Sequence, residues 1–379
     1  MPSSVQTIES SGIASNRGET RFPGLRAAAV LAAIGSMTLT AAGQDSYDGA
    51  LGGDSNFETP ASWGGAYPGD DFGGNTIDIL SIFGTDPINV ANDIVGIGGL
   101  TNSNDLDVVF GGVGSFRFND ASIINPGDGN FTFEIDVIAD GSLTFDLNGD
   151  GVVQIDGAFT TNGGTILAEG GFVDVNGETT SGEGTIWNAD DGGFNFNGVF
   201  NATGAQTFAG LSGTVADDVF TFNDVNFLTG VLDLATFDAA TVNFNGVTTV
   251  AAGYGFDLNN AAVVTFNDFV AEGDHTINFV DSDSTFRVVG DAEFADDGSL
   301  TVTGEGDASF GGDATFLGDF TADVAGADAS ITFADSLSFI AGANLRVEGS
   351  GTLNVSGAST FEGAFSLLVN DDDFDTTVE

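Results

Sequence analysis

The chain has 379 residues, enough for a sizeable core, and carries 56 acidic residues against six basic ones, none of them lysine. No basic patch can be built from six arginines, which excludes binding to nucleic acid phosphates and disfavours docking on anionic lipid. Without cysteine there is no disulfide or thiolate metal site, and with His275 as the only histidine a zinc centre or a histidine-based triad has no basis. The 35 Phe and the 57 Gly, many at regular intervals, point to an ordered chain with frequent turns, since chains that stay unfolded are poor in aromatics.

Residues 1–43 read as an export signal. Arg17, Arg21 and Arg26 precede the apolar run "AAAVLAAIGSMTLTAA", and small residues follow, so cleavage after Ala42 or Gly43 is expected. The run is short and rich in Ala and Gly, a poor membrane span, and no other segment could cross a bilayer. Removal of this segment leaves 54 acids, three arginines and a net charge of −51. The mature chain is expected to be secreted and held at a bacterial cell surface, with no membrane span after cleavage. Residues 44–110 are expected to form an N-terminal cap and first irregular coils, and 111–379 the repeats.

A loop resembling a calcium site comes next. In "DLNGDGVVQIDG", Asp146, Asn148, Asp150 and Gly151 fill positions 1, 3, 5 and 6 of a calcium-binding loop. Position 12 is Gly157, and the nearest carboxylate, Asp156, comes one residue early. Two readings stay open: an Asp/Gly-rich turn between strands, or a Ca2+ site with Asp146, Asn148, Asp150 and Asp156 as candidate ligands. No cofactor is required on either reading. The G-G-x-G-x-D repeat of calcium-loaded β-rolls is not met, because "GGVGSF" places Phe116 where Asp is needed.

From here the sequence repeats. Phe222-Asn223-Asp224, Phe244-Asn245-Gly246 and Phe266-Asn267-Asp268 are 22 residues apart. The count continues to Val288, Phe310, Phe333 and Val355, and backward to Phe196, Val175 and Ile155, with Phe118-Asn119-Asp120 as an earlier copy. Phe220, Val242, Val264, Phe286, Ala308, Ile331 and Leu353 precede the anchors by two residues. Leu228, Val250, Phe294, Phe316, Phe339 and Phe361 follow by six, with Glu272 as the exception. Alternation at i and i+2 is the strand period. A strand, an Asn/Gly turn tolerant of a left-handed backbone, and a second strand make one coil. The expected fold is all-β: a right-handed parallel β-helix, or β-solenoid, of about 22-residue coils. Asn at successive corners is expected to hydrogen-bond along the stack.

The F-N-[GD] corners at 222, 244 and 266 and the stacked Phe columns resemble right-handed parallel β-helices of the pectin-lyase-like group and of autotransporter passenger domains. The stretch "NFETPASWGGAYPGDD", residues 56–71, is similar to the opening of secreted bacterial proteins with autotransporter-associated β-strand repeats, with Trp63, Gly65 and Pro68 before the first coil. The resemblance spans most of 56–379 and implies a fold and a surface location. It does not extend to the C-terminal membrane barrel of an autotransporter. The ending "DDDFDTTVE" is expected to be a ragged cap or the edge of a fragment.

Carboxylate pairs such as Asp190-Asp191, Asp217-Asp218 and Asp296-Asp297 lie in turn-like stretches and read as solvated surface. Arg117 and Arg287 alternate with strand Phe residues, so they are expected to point outward and pair with acids, and His275 to be an ordinary surface or turn residue. The expected function is an acidic structural or adhesive cell-surface protein without catalysis, its partners being other surface or matrix proteins or glycans. The alternatives are a calcium-dependent carbohydrate-binding protein and, less favoured, a polysaccharide-degrading enzyme on a β-helix.

Overall fold

The computed structural model describes residues 44–48, 55–64, 67–82, 87–148, 151–212, 215, 217–227, 234–295, 299–324, 329–340, 344–349, 351–362 and 366–370, all within the compact unit Ala42–Glu379. Residues 1–43, expected from the sequence to be an export signal, and Leu228, Asp150, Asp296, Asp297 and residues 371–379 lie outside the described residues. The fold is a parallel β-solenoid of about 11 turns. Among the described residues there is no α-helix, only the 3-10 turn Pro60–Trp63.

Each regular coil supplies one strand to each of three faces. In one coil these are Val152–Ile155, Phe159–Thr161 and Thr165–Glu169; in the next, Phe172–Val175, Thr179–Ser181 and Thr185–Asp190. Strands pair in parallel with their counterparts one coil on. The first face reproduces the anchor column residue for residue. Ile155 pairs with Val175, Val175 with Phe196 and Phe196 with Phe222. The column runs on through Phe244, Phe266, Val288, Phe310 and Phe333 to Val355. The 20-, 21- and 26-residue steps upstream are therefore true coil lengths, with the surplus placed in turns.

Phe118 departs from the expectation. It lies on the second face, opposite Ala139, and the first-face column instead continues upstream through Phe133 and Phe110. An F-N-D triplet also fits a strand that runs straight through, as Ser115–Asn125 does.

Corner length explains the Glu272 exception. Most corners between the first and second faces hold three residues, as Asp156-Gly157-Ala158 does between Ile155 and Phe159. Those after Phe222 and Phe266 hold two, because the second-face strands resume at Val225 and Phe269. The second-face column is therefore Phe227, Val250, Ala271, Phe294, Phe316, with Ala271 in the slot a fixed count gives to Glu272. Phe227 fills the slot before Val250 for the same reason.

The corner glycines are required for contact rather than for a left-handed backbone. A Cβ on Gly177 would lie 1.9 Å from the carbonyl oxygen of Gly157, and one on Gly198 2.0 Å from that of Gly177, while neither residue has a positive φ. Stacked corners approach so closely that only hydrogen fits.

The core is a set of ring ladders. Phe244 and Phe266 stack with centroids 4.5 Å apart and planes 4° from parallel; Phe222 stacks on Phe244 at 4.9 Å. Parallel register places identical side chains at the strand spacing of about 4.8 Å, which imposes stacked pairs along a column. Rings from different faces meet edge-on, as Phe200 and Phe222 do at 79°. At the N-terminal end Tyr47, Phe57, Trp63 and Phe72 cluster, and the Trp63 indole donates to the Phe57 carbonyl at 2.6 Å.

Candidate functional site

The acidic surface was the main source of candidate ligands, and the geometry shows what many of these carboxylates do. At the corners, Asp side chains accept backbone N–H groups from the coil above. Asp136 accepts from Ala158 at 2.9 Å, Asp224 from Val247 at 3.1 Å, Asp268 from Asp291 at 3.2 Å and Asp291 from Asp313 at 3.0 Å. Corner backbone leaves donors that the sheet ladders cannot reach, and a short carboxylate one coil below can reach them. The expected Asn ladder is present at 156–223. The Asn176 amide donates to Asp156 at 2.7 Å, that of Asn197 to Asn176 at 2.8 Å and that of Asn223 to the Asn197 carbonyl at 2.8 Å.

The calcium-like loop divides between two of these structures. Asp146 ends the strand Leu143–Asp146 on the third face. One of its oxygens accepts the Asn125 amide at 2.8 Å and the other the Asn148 amide at 2.8 Å. Asp156 lies beyond the four-residue strand Val152–Ile155, a separation of roughly 13 Å at about 3.3 Å per residue. It accepts from Gln154 and Asn176 instead. The structure thus brings Asp146 and Asn148 together and leaves Asp156 apart; Asp150 is outside the described residues. Among the described residues no three His, Cys, Asp or Glu side chains converge on a common point for a metal ion.

Two expectations about polar residues are corrected. Asp218 is buried, not solvated. The turn that lengthens its coil to 26 residues folds back so that Asp218 accepts from the Ser212 amide and hydroxyl and from the Asp191 amide. Desolvation pushes its carboxyl above the ordinary value in spite of these bonds. His275 is 3% exposed. Its Nδ1 is 3.0 Å from the Tyr254 carbonyl and its Nε2 2.8 Å from that of Glu272. A neutral imidazole has one N–H for these two acceptors. Burial lowers its pKa below 6.5, outweighing the two carbonyls and Asp274, which favour the charged ring. His275 opens the strand His275–Phe279 in the same inward phase as Ile277 and Phe279; the polar residues that precede it made it read as part of the turn.

Arg117 points outward as expected and pairs with Asp140 through both carboxylate oxygens. Its exposure makes this pair worth little to stability. Arg287 is exposed between Thr265 and Ser309 in the outward column of the first face, with no ion pair among the described residues.

Comparison with known protein families, with curated proteins and with solved structures finds no match to this chain.

Proposed function

We propose that this chain is an exported, acidic scaffold of the bacterial cell surface, structural or adhesive, that works without catalysis and without a required cofactor. The observation that carries the reading is the use of corner carboxylates. They accept N–H groups from neighbouring coils at a repeating interval of 22 or 23 residues, an arrangement that builds a stack. A general acid–base pair would need two carboxylates facing one substrate bond with separated environments. The likeness to autotransporter passenger domains and pectin-lyase-like β-helices belongs to this proposal, as do the cleaved leader and partnership with surface proteins or glycans.

The test is localisation of the full chain carrying an internal epitope in a bacterial host. The expected result is processing after Ala42 or Gly43 and loss of the epitope when intact cells are treated with protease. Retention in the cytoplasm would overturn the surface reading, and turnover of a polysaccharide by the purified chain would overturn the non-catalytic one.

A further inference from the structure

Among the described Phe residues only two are exposed, Phe172 and Phe361. Phe361 lies in the last described coil, whereas Phe172 has coils on both sides of it. Phe172 opens the first-face strand Phe172–Val175, is 43% exposed, and stacks on no other aromatic ring among the described residues. The Val152 side chain, at the same position one coil below, is 40% exposed. On the other side Phe172 is in register with Gly193, which must stay bare: a Cβ there would lie 1.7 Å from the Val219 carbonyl oxygen. The ring therefore has an aliphatic neighbour on one flank and no side chain on the other.

Two residues further along each strand the outward positions turn polar. Gln154, Asp174 and Asn195 lie in register in an outward row that continues as Thr132 on one side and Thr221 on the other. Their donors are used within the row and its corner: Asn195 donates to one oxygen of Asp174 at 2.8 Å, and Gln154 donates to Asp156. The second Asp174 oxygen and the side-chain carbonyls of Gln154 and Asn195 have no donor among the described residues. Rows about 4.8 Å apart and positions roughly 6.6 Å apart along a strand make this an aromatic platform edged by free acceptors.

We infer that this platform binds a neutral glycan, one pyranose ring resting its C–H face on Phe172 and Val152 while its hydroxyls donate to Gln154, Asp174 and Asn195. The inference rests on the adhesive reading above and names its ligand class. Two apolar side chains are far too little for a protein interface, which needs about 800 Å² per partner. A single pyranose ring can rest its C–H face on one exposed aromatic ring on an open strand face, while its hydroxyls reach the polar row beside it. A formal charge of −50 repels acidic glycans and leaves neutral ones. Unlike a bound cation, such a ligand needs donors of its own, because the platform presents acceptors.

The experiment is saturation-transfer NMR and calorimetry of the full chain with neutral hexasaccharides of β-1,4-linked glucose, mannose and xylose, and with an anionic galacturonate hexamer as control. Binding of at least one neutral chain is expected, with saturation strongest at ring C–H protons and none for the anionic control. Phe172→Ala should weaken binding at least about tenfold, and Phe172→Trp should retain it. Asp174→Ala, which leaves the core untouched, should weaken it too. Absence of binding to every neutral chain overturns the inference, as does binding indifferent to Phe172→Ala. If Phe172→Ala lowers the melting temperature and no glycan binds, the ring serves to cover the bare backbone at Gly193. These failures leave surface localisation intact, whereas cytoplasmic retention would remove the adhesive reading itself.

Discussion

His275 is the single histidine, and that makes its burial readable in solution. Its folded pKa lies below the ordinary 6.5 because desolvation disfavours the imidazolium. Above pH 6.5 the ring is neutral in folded and unfolded chains alike and adds no pH dependence. As pH falls through 6.5 the unfolded chain takes up a proton that the folded chain resists, so stability is lost until the folded pKa is passed. Each pH unit separating the two pKa values is worth about 1.4 kcal/mol. We expect the melting temperature to fall between pH 6.5 and 5, before most carboxylates titrate, and the fall to be absent in His275→Gln. An unchanged melting temperature across that window in the wild-type chain would mean that the two carbonyls offset burial. Corner glycines belong to the same scale. Gly157, Gly177 and Gly198 were legible as turn residues, but the reason for them, a carbonyl about 2 Å from any added Cβ, exists only once coils are stacked.

Among the elements, the columns determine how side-chain volume is distributed. Where the anchor shrinks to Val288, the residue two before it grows to Phe286; one coil below, the pair is Val264 and Phe266. Such exchange keeps the layer filled at nearly constant volume. Phe244 has no such substitute. It stacks between Phe222 and Phe266 and meets Phe227 and Phe237 from the other faces. Phe244→Ala should cost about 3–5 kcal/mol, measured as a lower denaturant midpoint, and should leave the β circular dichroism spectrum intact because coils stack mainly with their neighbours. A loss below 1 kcal/mol, the range of a well-accommodated core change, would contradict a tightly packed ladder. The i, i+2 columns were visible in the sequence because the strand period projects the inward set directly. The second-face column slipped by a residue at 228 and 272, since corner length is set by how the chain bends and a two-residue corner reads like a three-residue one.

For the whole solenoid the question is how so many carboxylates coexist. Hydrogen bonds from corner amides and stacked Asn satisfy many of them individually, but they leave the charge in place. Mutual repulsion should therefore be strong at low ionic strength and relieved by salt, as the Debye length falls from about 30 Å at 0.01 M to about 3 Å at 1 M. The melting temperature is expected to rise by several degrees over that range of sodium chloride. A flat response would show that the repulsion is already neutralised, by bound cations or by proton uptake.

Composition and periodicity by themselves determined the all-β class, the coil of about 22 residues, and the inward columns and register of the first face from 155 to 355. Each is a local property: a side chain's face follows from the strand period, and a coil's length from the recurrence of its corner. The same information left the calcium-like loop open between a metal site and a turn between strands, with Asp156 next to the column anchor Ile155. Only the tertiary structure decided which partners Asp146 and Asp156 take, that Asp218 and His275 are buried, and that Phe172 stands outside beside a glycine that cannot carry a side chain. These depend on what lies one coil above or below, some 20 residues away along the chain, where no local pattern reaches.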